Sequence, residues 1–74
     1  MEIAPRINID NNIRFGKLVI TGTRIPIDLI LGKLASGMTY EEIIKEYEIT
    51  REDILAVLDF AAKTISTEEI KIIN

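Results

Sequence analysis

The stretch that most constrains the fold is Gly22-Thr23-Arg24-Ile25-Pro26, because it divides β-type sequence from helical sequence. Gly22 takes positive φ at little cost, which suits the exit from a strand. Pro26 suits the first turn of a helix and biases Ile25 towards an extended conformation. Arg24 carries the only charge here. Its guanidinium either hydrogen-bonds loop carbonyls or a carboxylate, which is the favoured alternative, or reaches a phosphate.

The sequence before this stretch predicts short strands. Residues 1–5 are expected to be a loose terminus, and residues 6–9 alternate polar and apolar side chains in the pattern of a half-buried strand. Asp10-Asn11-Asn12 has the chemistry of a turn. Residues 13–15 and 18–20 predict a β-hairpin joined by a two-residue type II′ turn.

Three helices are predicted after the junction. The first runs from about Pro26 to Ser36 and ends at Gly37, which is well placed as a left-handed C-cap. Thr39 and Thr50 are the predicted N-caps of the second and third helices, because each is followed three residues later by an acidic side chain.

One aromatic side chain does not fit the third helix. The predicted core face of that helix comprises Ile54, Val57, Leu58, Ala61, Ala62 and Ile65. Phe60 points well away from this face at about 100° per residue. It is therefore covered by the hairpin or lies at an interface, and an interface is the favoured alternative.

These elements predict one mainly α domain. An N-terminal β-hairpin arm (1–25) precedes a three-helix bundle (26–65) that contains a helix-turn-helix of homeodomain or winged-helix type, and a short helix or strand (66–74) follows. The third helix would be the recognition helix of a DNA-binding protein. Its outward residues include several acids, so a three-helix bundle that merely resembles such a reader is the alternative.

Composition predicts self-association. The chain has 74 residues, of which 47% are hydrophobic, and no cysteine to form a disulfide. A single core of this size rarely supplies more than about 3–5 kcal/mol, so a homodimer that buries the surplus apolar surface is expected. The candidate residues for this dimer interface or for a partner protein are Phe15, Leu18, Ile20, Phe60, Ile70, Ile72 and Ile73.

Several functional classes are excluded by residue type. The absence of cysteine and histidine removes the usual zinc sites and the Ser-His-Asp and Cys-His catalytic arrangements. No glycine-rich phosphate loop is present. The carboxylates are expected to form a solvent-exposed face. We therefore expect no enzyme, cofactor or metal. No apolar run approaches the ~20 residues of a membrane span, and no signal peptide is visible, so a cytoplasmic protein is expected.

Charge is distributed unevenly along the chain. Residues 1–36 hold five basic and three acidic side chains, whereas residues 37–74 hold four basic and nine acidic ones. A nucleic acid would bind the basic half, and a basic partner protein would bind the acidic half. The alternatives are that the acids only keep a dimer soluble and that the cations on strand edges only block edge pairing. The candidate DNA-binding residues are Arg6, Arg14, Lys17 and Arg24, together with Arg51 and Lys63 on the third helix.

The run from Lys17 to Ala62 resembles a known family, the domain of unknown function 433. The resemblance lies in Gly22–Pro26, Ile30–Gly37, Tyr40–Ile43, Thr50–Ile54 and Leu58–Ala62. The family's usual proline after the second helix is absent, since Glu48-Ile49 stands there, and its Gly-Lys-Pro motif reads Gly16-Lys17-Leu18. Members look like antitoxins encoded beside a PIN-like ribonuclease toxin.

The resemblance implies a β-hairpin plus helix-turn-helix, often dimeric and proposed to bind DNA and a toxin. The expected function is therefore a type II antitoxin, dimeric through its N-terminal strands, that binds a PIN-like ribonuclease and its own operator DNA. The alternatives are a stand-alone helix-turn-helix regulator and an interaction module without a role in nucleic-acid binding.

Overall fold

A computed structural model describes residues 1–13 and 16–67 of the chain. Within them, strands β1 (Glu2–Ala4), β2 (Ile7–Ile9) and β3 (Leu18–Ile20) form an antiparallel sheet in the order β1-β2-β3. Helices α1 (Ile27–Ala35), α2 (Tyr40–Tyr47) and α3 (Arg51–Thr67) follow. The described part of the chain is thus mixed α/β, with a three-stranded sheet where a hairpin was expected. The candidates Arg14, Phe15, Ile70, Ile72 and Ile73 lie outside the described residues.

The partner of β3 differs from the prediction. The strand pairs with β2, so that Ile7 lies opposite Ile20, and both side chains are fully buried. The Asp10 carboxylate accepts the Asn12 N–H at 2.8 Å, which confirms the predicted turn there. Ile13 lies in a further turn rather than in a strand, because its N–H bonds to the Asp10 carbonyl at 2.9 Å. Pairing of β3 with β2 is favoured over pairing with residues 13–15, because it places two large apolar residues opposite each other in the core.

The first residues of the chain form a strand instead of a loose terminus. β1 pairs with β2 through a tight turn at Pro5-Arg6, in which Arg6 has a φ of 65°. Proline followed by a positive φ is the arrangement of a type II turn, and glycine usually occupies the second position. The side chain of Glu2 helps to hold this turn, because it accepts hydrogen bonds from the Arg6 N–H and the Thr21 hydroxyl.

The junction between sheet and helix is held by a threonine. The Thr23 hydroxyl donates to the Ile20 carbonyl at 2.8 Å and accepts from the Ile25 N–H at 3.0 Å. Gly22, with a φ of 81°, turns the chain so that the Ile25 carbonyl returns to the Ile20 N–H at 3.0 Å. Pro26 then caps α1. The expected division at this stretch is confirmed, but Thr23 makes the internal hydrogen bonds that Arg24 was expected to make.

The helix boundaries follow the predicted caps. Gly37, with a φ of 102°, ends the first helix, and the N–H groups of Gly37 and Met38 bond to the carbonyls of Leu34 and Lys33 in a Schellman motif. Thr39 begins α2 with a complete capping box. At the start of α3, the Thr50 hydroxyl and the Asp53 carboxylate exchange hydrogen bonds with each other's backbone N–H at 3.1 and 3.0 Å.

The core is aliphatic and draws on every helix and on β2 and β3. Its fully or nearly fully buried hydrophobic side chains are Ile7, Val19, Ile20, Ile27, Ile30, Ile43, Ile49, Ile54 and Val57. Phe60 packs against this core, whereas Ile65, predicted to lie in it, is 66% exposed. Of the predicted core face of α3, Ile54 and Val57 are buried and Leu58 packs against the core, whereas the later members Ala62 and Ile65 are exposed. The helix contacts both α1 and β2, which turns its buried face towards Val57 and Phe60.

A left-handed residue in the turn between α2 and α3 gives a stability prediction. Glu48 has φ 55° and ψ 43°, a conformation that costs a residue with a Cβ roughly 1–2 kcal/mol. We expect Glu48→Gly to raise the free energy of unfolding by about 1 kcal/mol in urea denaturation. Glu48→Ala is the matched control, because it removes the same carboxylate and keeps the Cβ. Equal stabilisation by both substitutions would show that charge, not backbone strain, is responsible.

Candidate functional site

Arg24 stands out among the candidate cations because it is exposed and has no hydrogen bond or ion pair with any described residue. It lies immediately before α1, whose N-terminal end carries a partial positive charge. Lys17 reaches the same helix end, where its ammonium contacts the Asp28 carboxylate at 2.7 Å. These two cations and one anion leave the start of α1 with a small positive excess.

Arg6 is used to join the sheet to α3. Its guanidinium bonds to the Asp53 carboxylate at 3.0 Å, and that carboxylate is only 13% exposed while also accepting the Thr50 N–H. Partial burial alone would raise the pKa of Asp53. The hydrogen bond from the Thr50 backbone and the nearby Arg6 guanidinium outweigh it and hold the pKa of Asp53 below its usual value. Arg6 is thus an internal partner of a helix cap.

Arg51 is also engaged within the chain. Its guanidinium lies 4.9 Å from the centroid of the Tyr40 ring and 3.6 Å from the Glu41 carboxylate, so it connects the first turns of α2 and α3. Glu41 lies one helical turn before Lys45 but forms its ion pair with Arg51 instead. The start of α3 has no excess of positive charge, because Arg6 is paired with Asp53 and Arg51 with Glu41.

Within a single chain, the candidate cations of the described residues lie in three separate places. Arg6 and Arg51 meet at the start of α3, Lys17 and Arg24 lie at the start of α1, and Lys63 pairs with Asp59 at 3.0 Å one turn before it on α3. Surface ion pairs are weak and break readily, but each one cancels the field that would attract a polyanion.

The outward face of α3 is poorly suited to reading DNA. Its exposed side chains include Glu52, Leu55 and Asp59, and Leu55 is 48% exposed. A recognition helix presents basic or amide groups to base edges and phosphates, and acids are repelled by the backbone charge. In the described chain, this face carries apolar side chains and two acids, and its cations Arg51 and Lys63 are each paired with a carboxylate.

The candidate interface residues are also separated. Ile20 is 1% exposed, so its side chain belongs to the core of the single chain. Leu18 is half-buried and lines a shallow groove of about 290 Å³ with Ile27 and Leu31, next to the Lys17–Asp28 pair. Phe60 is partly covered by the core. On the described helices, the large apolar side chains that are exposed are Leu29, Leu55 and Ile65, and the sequence predicted none of them to be exposed.

Comparison with known families adds one finding. The sequence profile of a protein family of unknown function, DUF433, matches residues 7–61, which extend from β2 to the middle of α3. The chain belongs to the DUF433 family. No curated protein and no solved structure matches it significantly.

Two further findings describe the part of this DUF433 chain that the structure covers. Among the described residues, no group of three or more His, Cys, Asp or Glu side chains could hold a metal ion. No helix there is both long and apolar enough to cross a membrane. The features that distinguish the surface are the unpaired Arg24, the acids of α2 and α3, and the exposed apolar residues of α3.

Sequence reasoning missed the partners of these charges for an identifiable reason. The Arg6–Asp53 pair joins residues far apart in the chain, and no local pattern announces it. Thr23 was recognisable in principle, because a threonine two residues before an extended backbone N–H can accept from it. The exposed apolar residues of α3 also had a sequence signal, because Leu58, Ala62 and Ile65 follow helical spacing, but the same spacing is compatible with a place in the core.

The Asp53 site predicts a pH-dependent contribution to stability. Because the folded-state pKa of Asp53 is lowered, its ionised form stabilises the DUF433 chain above the usual aspartate pKa of about 3.9, and this contribution is lost as pH falls through the folded pKa. Asp53→Asn should lower the free energy of unfolding by about 1–2 kcal/mol at pH 7, and by progressively less as the pH falls through the folded pKa of Asp53. Chemical denaturation across this range measures the difference.

Asp59→Asn is the matched control, because Asp59 is an exposed carboxylate in the same helix, paired one turn away with Lys63. We expect its effect to be below about 0.5 kcal/mol at every pH. An Asp53→Asn effect that is the same at pH 7 and pH 3 would contradict the assigned role of the charge.

Proposed function

We propose that this protein is the antitoxin of a type II toxin–antitoxin pair and binds a PIN-like ribonuclease toxin in the cytoplasm. The identity of the partner comes from the resemblance of Lys17–Ala62 to antitoxin-like proteins. The observation that carries the binding mode is a group of three exposed carboxylates close together in the sequence around the α2–α3 turn, Glu46, Glu48 and Glu52, which have no ion pair or hydrogen bond among the described residues. We call this group the acidic patch.

The acidic patch is chemically suited to a nuclease. A ribonuclease must attract a polyanion, so the surface around its active site is basic. An acidic protein surface that docks there gains long-range attraction and excludes RNA from the same site. The patch borders the turn between α2 and α3, which both begin with complete side-chain caps and so present the carboxylates from a well-defined backbone.

Co-expression with the PIN-like protein encoded beside this chain tests the proposal. We expect the two proteins to purify together, and Glu46→Gln with Glu52→Gln to weaken the complex about tenfold in calorimetry. The matched control is Asn12→Lys with Gly32→Lys, which raises the net charge equally on exposed positions away from the patch.

Two outcomes would contradict this proposal. Proteins that fail to associate at micromolar concentration would remove the antitoxin function. Equal weakening by the two variants would show that overall charge, rather than the acidic patch, carries the affinity.

Operator binding is a second proposed function, favoured by the unpaired Arg24. We propose that Arg24 and Lys17 contact phosphates from the start of α1, where helix dipole and charge have the same sign. Arg14 is retained as a candidate from the sequence. The α2–turn–α3 arrangement favours a helix-turn-helix, and a stand-alone regulator would use α3 itself, with Arg51 and Lys63, in the major groove.

The salt dependence of DNA binding distinguishes these elements. On the DNA upstream of the gene, we expect Arg24→Gln to lower the slope of log affinity against log salt by about 0.9 for each phosphate that Arg24 neutralises. Lys63→Gln, on the far part of α3, should leave the slope unchanged. If only Arg51→Gln and Lys63→Gln change the slope, α3 is the element that reads the DNA. If the wild-type protein binds the upstream DNA no more tightly than DNA of random sequence, the protein is an interaction module without operator binding.

A homodimer completes the proposed function. The composition predicts it, and the described surface exposes Ile3, Leu29, Leu55 and Ile65 at 36% or more of their area. Two copies would present two acidic patches to two toxin molecules and two Arg24 side chains to a palindromic operator.

A further inference from the structure

Helix α3 carries an apolar seam that its own core covers only in part, at Leu58. Leu55, Leu58, Ala62 and Ile65 follow one another at intervals of three, four and three residues, the spacing of the a and d positions of a coiled coil. Leu55 is 48% and Ile65 66% exposed, Ala62 is exposed and Leu58 is half-buried. We call these four residues the α3 seam.

We propose that a second copy of this chain packs on the α3 seam, with the two α3 helices antiparallel about a two-fold axis near residue 60. This inference rests on the homodimer of the proposed function and assigns its interface to α3 in place of the N-terminal strands that the sequence suggested. Antiparallel helices pair a positions with d positions. With the axis at this level, Leu55 faces the partner's Ile65 and Leu58 faces the partner's Ala62.

The sizes of the seam residues are complementary in this orientation. Next to the axis, each layer combines a leucine with an alanine, so the helices approach closely where Leu58 fills the space left by Ala62. The outer layers combine Leu55 with Ile65, the two most exposed members of the seam. A two-fold interface requires a surface that is complementary to itself, and this spacing meets the requirement without any second surface.

The charges beside the seam are also self-complementary. Asp59 and Lys63 form an ion pair of 3.0 Å on one flank of the seam. In the antiparallel pair, each Lys63 lies about 3 Å along the helix axis from the level of the partner's Asp59, so four charges alternate around the axis. This flank is neutral overall, which favours a second copy over a nucleic acid or a strongly basic protein.

Concentration-dependent sedimentation of the intact chain tests the proposal. The contact spans about three helical turns and lies at the low end of interface sizes, so we expect a dissociation constant on the order of 10–100 µM. Leu55→Lys and Ile65→Lys should each weaken self-association more than tenfold. Leu29→Lys is the matched control, because Leu29 is an exposed leucine on α1 and should leave self-association unchanged. Circular dichroism checks that each variant is folded.

Engineered disulfides test the orientation, since the chain has no cysteine of its own. A mixture of Leu55→Cys and Ile65→Cys chains should cross-link under oxidation, whereas either variant alone should not. In the antiparallel pair, two copies of residue 55 are separated by about 15 Å, far beyond disulfide reach. Cross-linking of each variant with itself would indicate parallel helices and overturn the proposed geometry.

The occupant of the seam is decided by the same variants. A wild-type chain that remains monomeric to 500 µM overturns the proposal. If Leu55→Lys and Ile65→Lys then lose the PIN-like protein, the seam belongs to that partner. Restoration of self-association when Asp59→Lys and Lys63→Asp chains, each weakened alone, are mixed would support the reciprocal charge pairs. None of these sedimentation results depends on toxin binding, so failure here is separable from failure of the antitoxin function.

Discussion

The hydroxyl of Thr23 makes the interaction on which the arrangement of sheet and helices depends. By bonding to both Ile20 and Ile25, it folds the chain back against β3 within a few residues. Pro26 consequently lies beside Val19, and α1 begins against the sheet. That position buries Ile27 and Ile30 of α1 with Ile20 of β3 in one apolar core. A side chain that satisfies two backbone groups at once is effective here, because an unpaired buried carbonyl or N–H is costly.

Local chemistry explains which parts of the fold could be predicted. The caps at Gly37, Thr39 and Thr50 act within four residues, so the helix boundaries were readable from neighbouring side chains. Strand pairing is different, because each short strand is compatible with several partners until a third element selects one. The selection comes from β1 and from the pairing of Ile7 with Ile20. Neither can be recognised from residues 13–20 alone, on which the predicted hairpin was based.

The rotation of α3 shows the same limit on a helix. Its apolar residues exceed what one face can hold, so periodicity alone allows the buried side to centre on Val57 or nearer to Leu58. Contacts with α1 and β2 favour Val57, which brings Phe60 towards the core and leaves Ile65 outside. The ion-pair partners of the candidate cations could not be predicted for a related reason, because residue type shows that a charge exists but not which carboxylate lies opposite it.

The two proposed surfaces of α3 differ in their direction around the helix. Glu52 points about a quarter turn away from the α3 seam. It lies eight residues before the proposed axis at residue 60, and in the antiparallel pair the partner's α3, which ends at the partner's Thr67, reaches almost the same level. Glu46 and Glu48 extend the acidic patch onto α2 and its C-terminal turn. A second copy on the seam therefore leaves the acidic patch accessible from the side of α3 that faces away from the seam, and a partner protein would dock from that side.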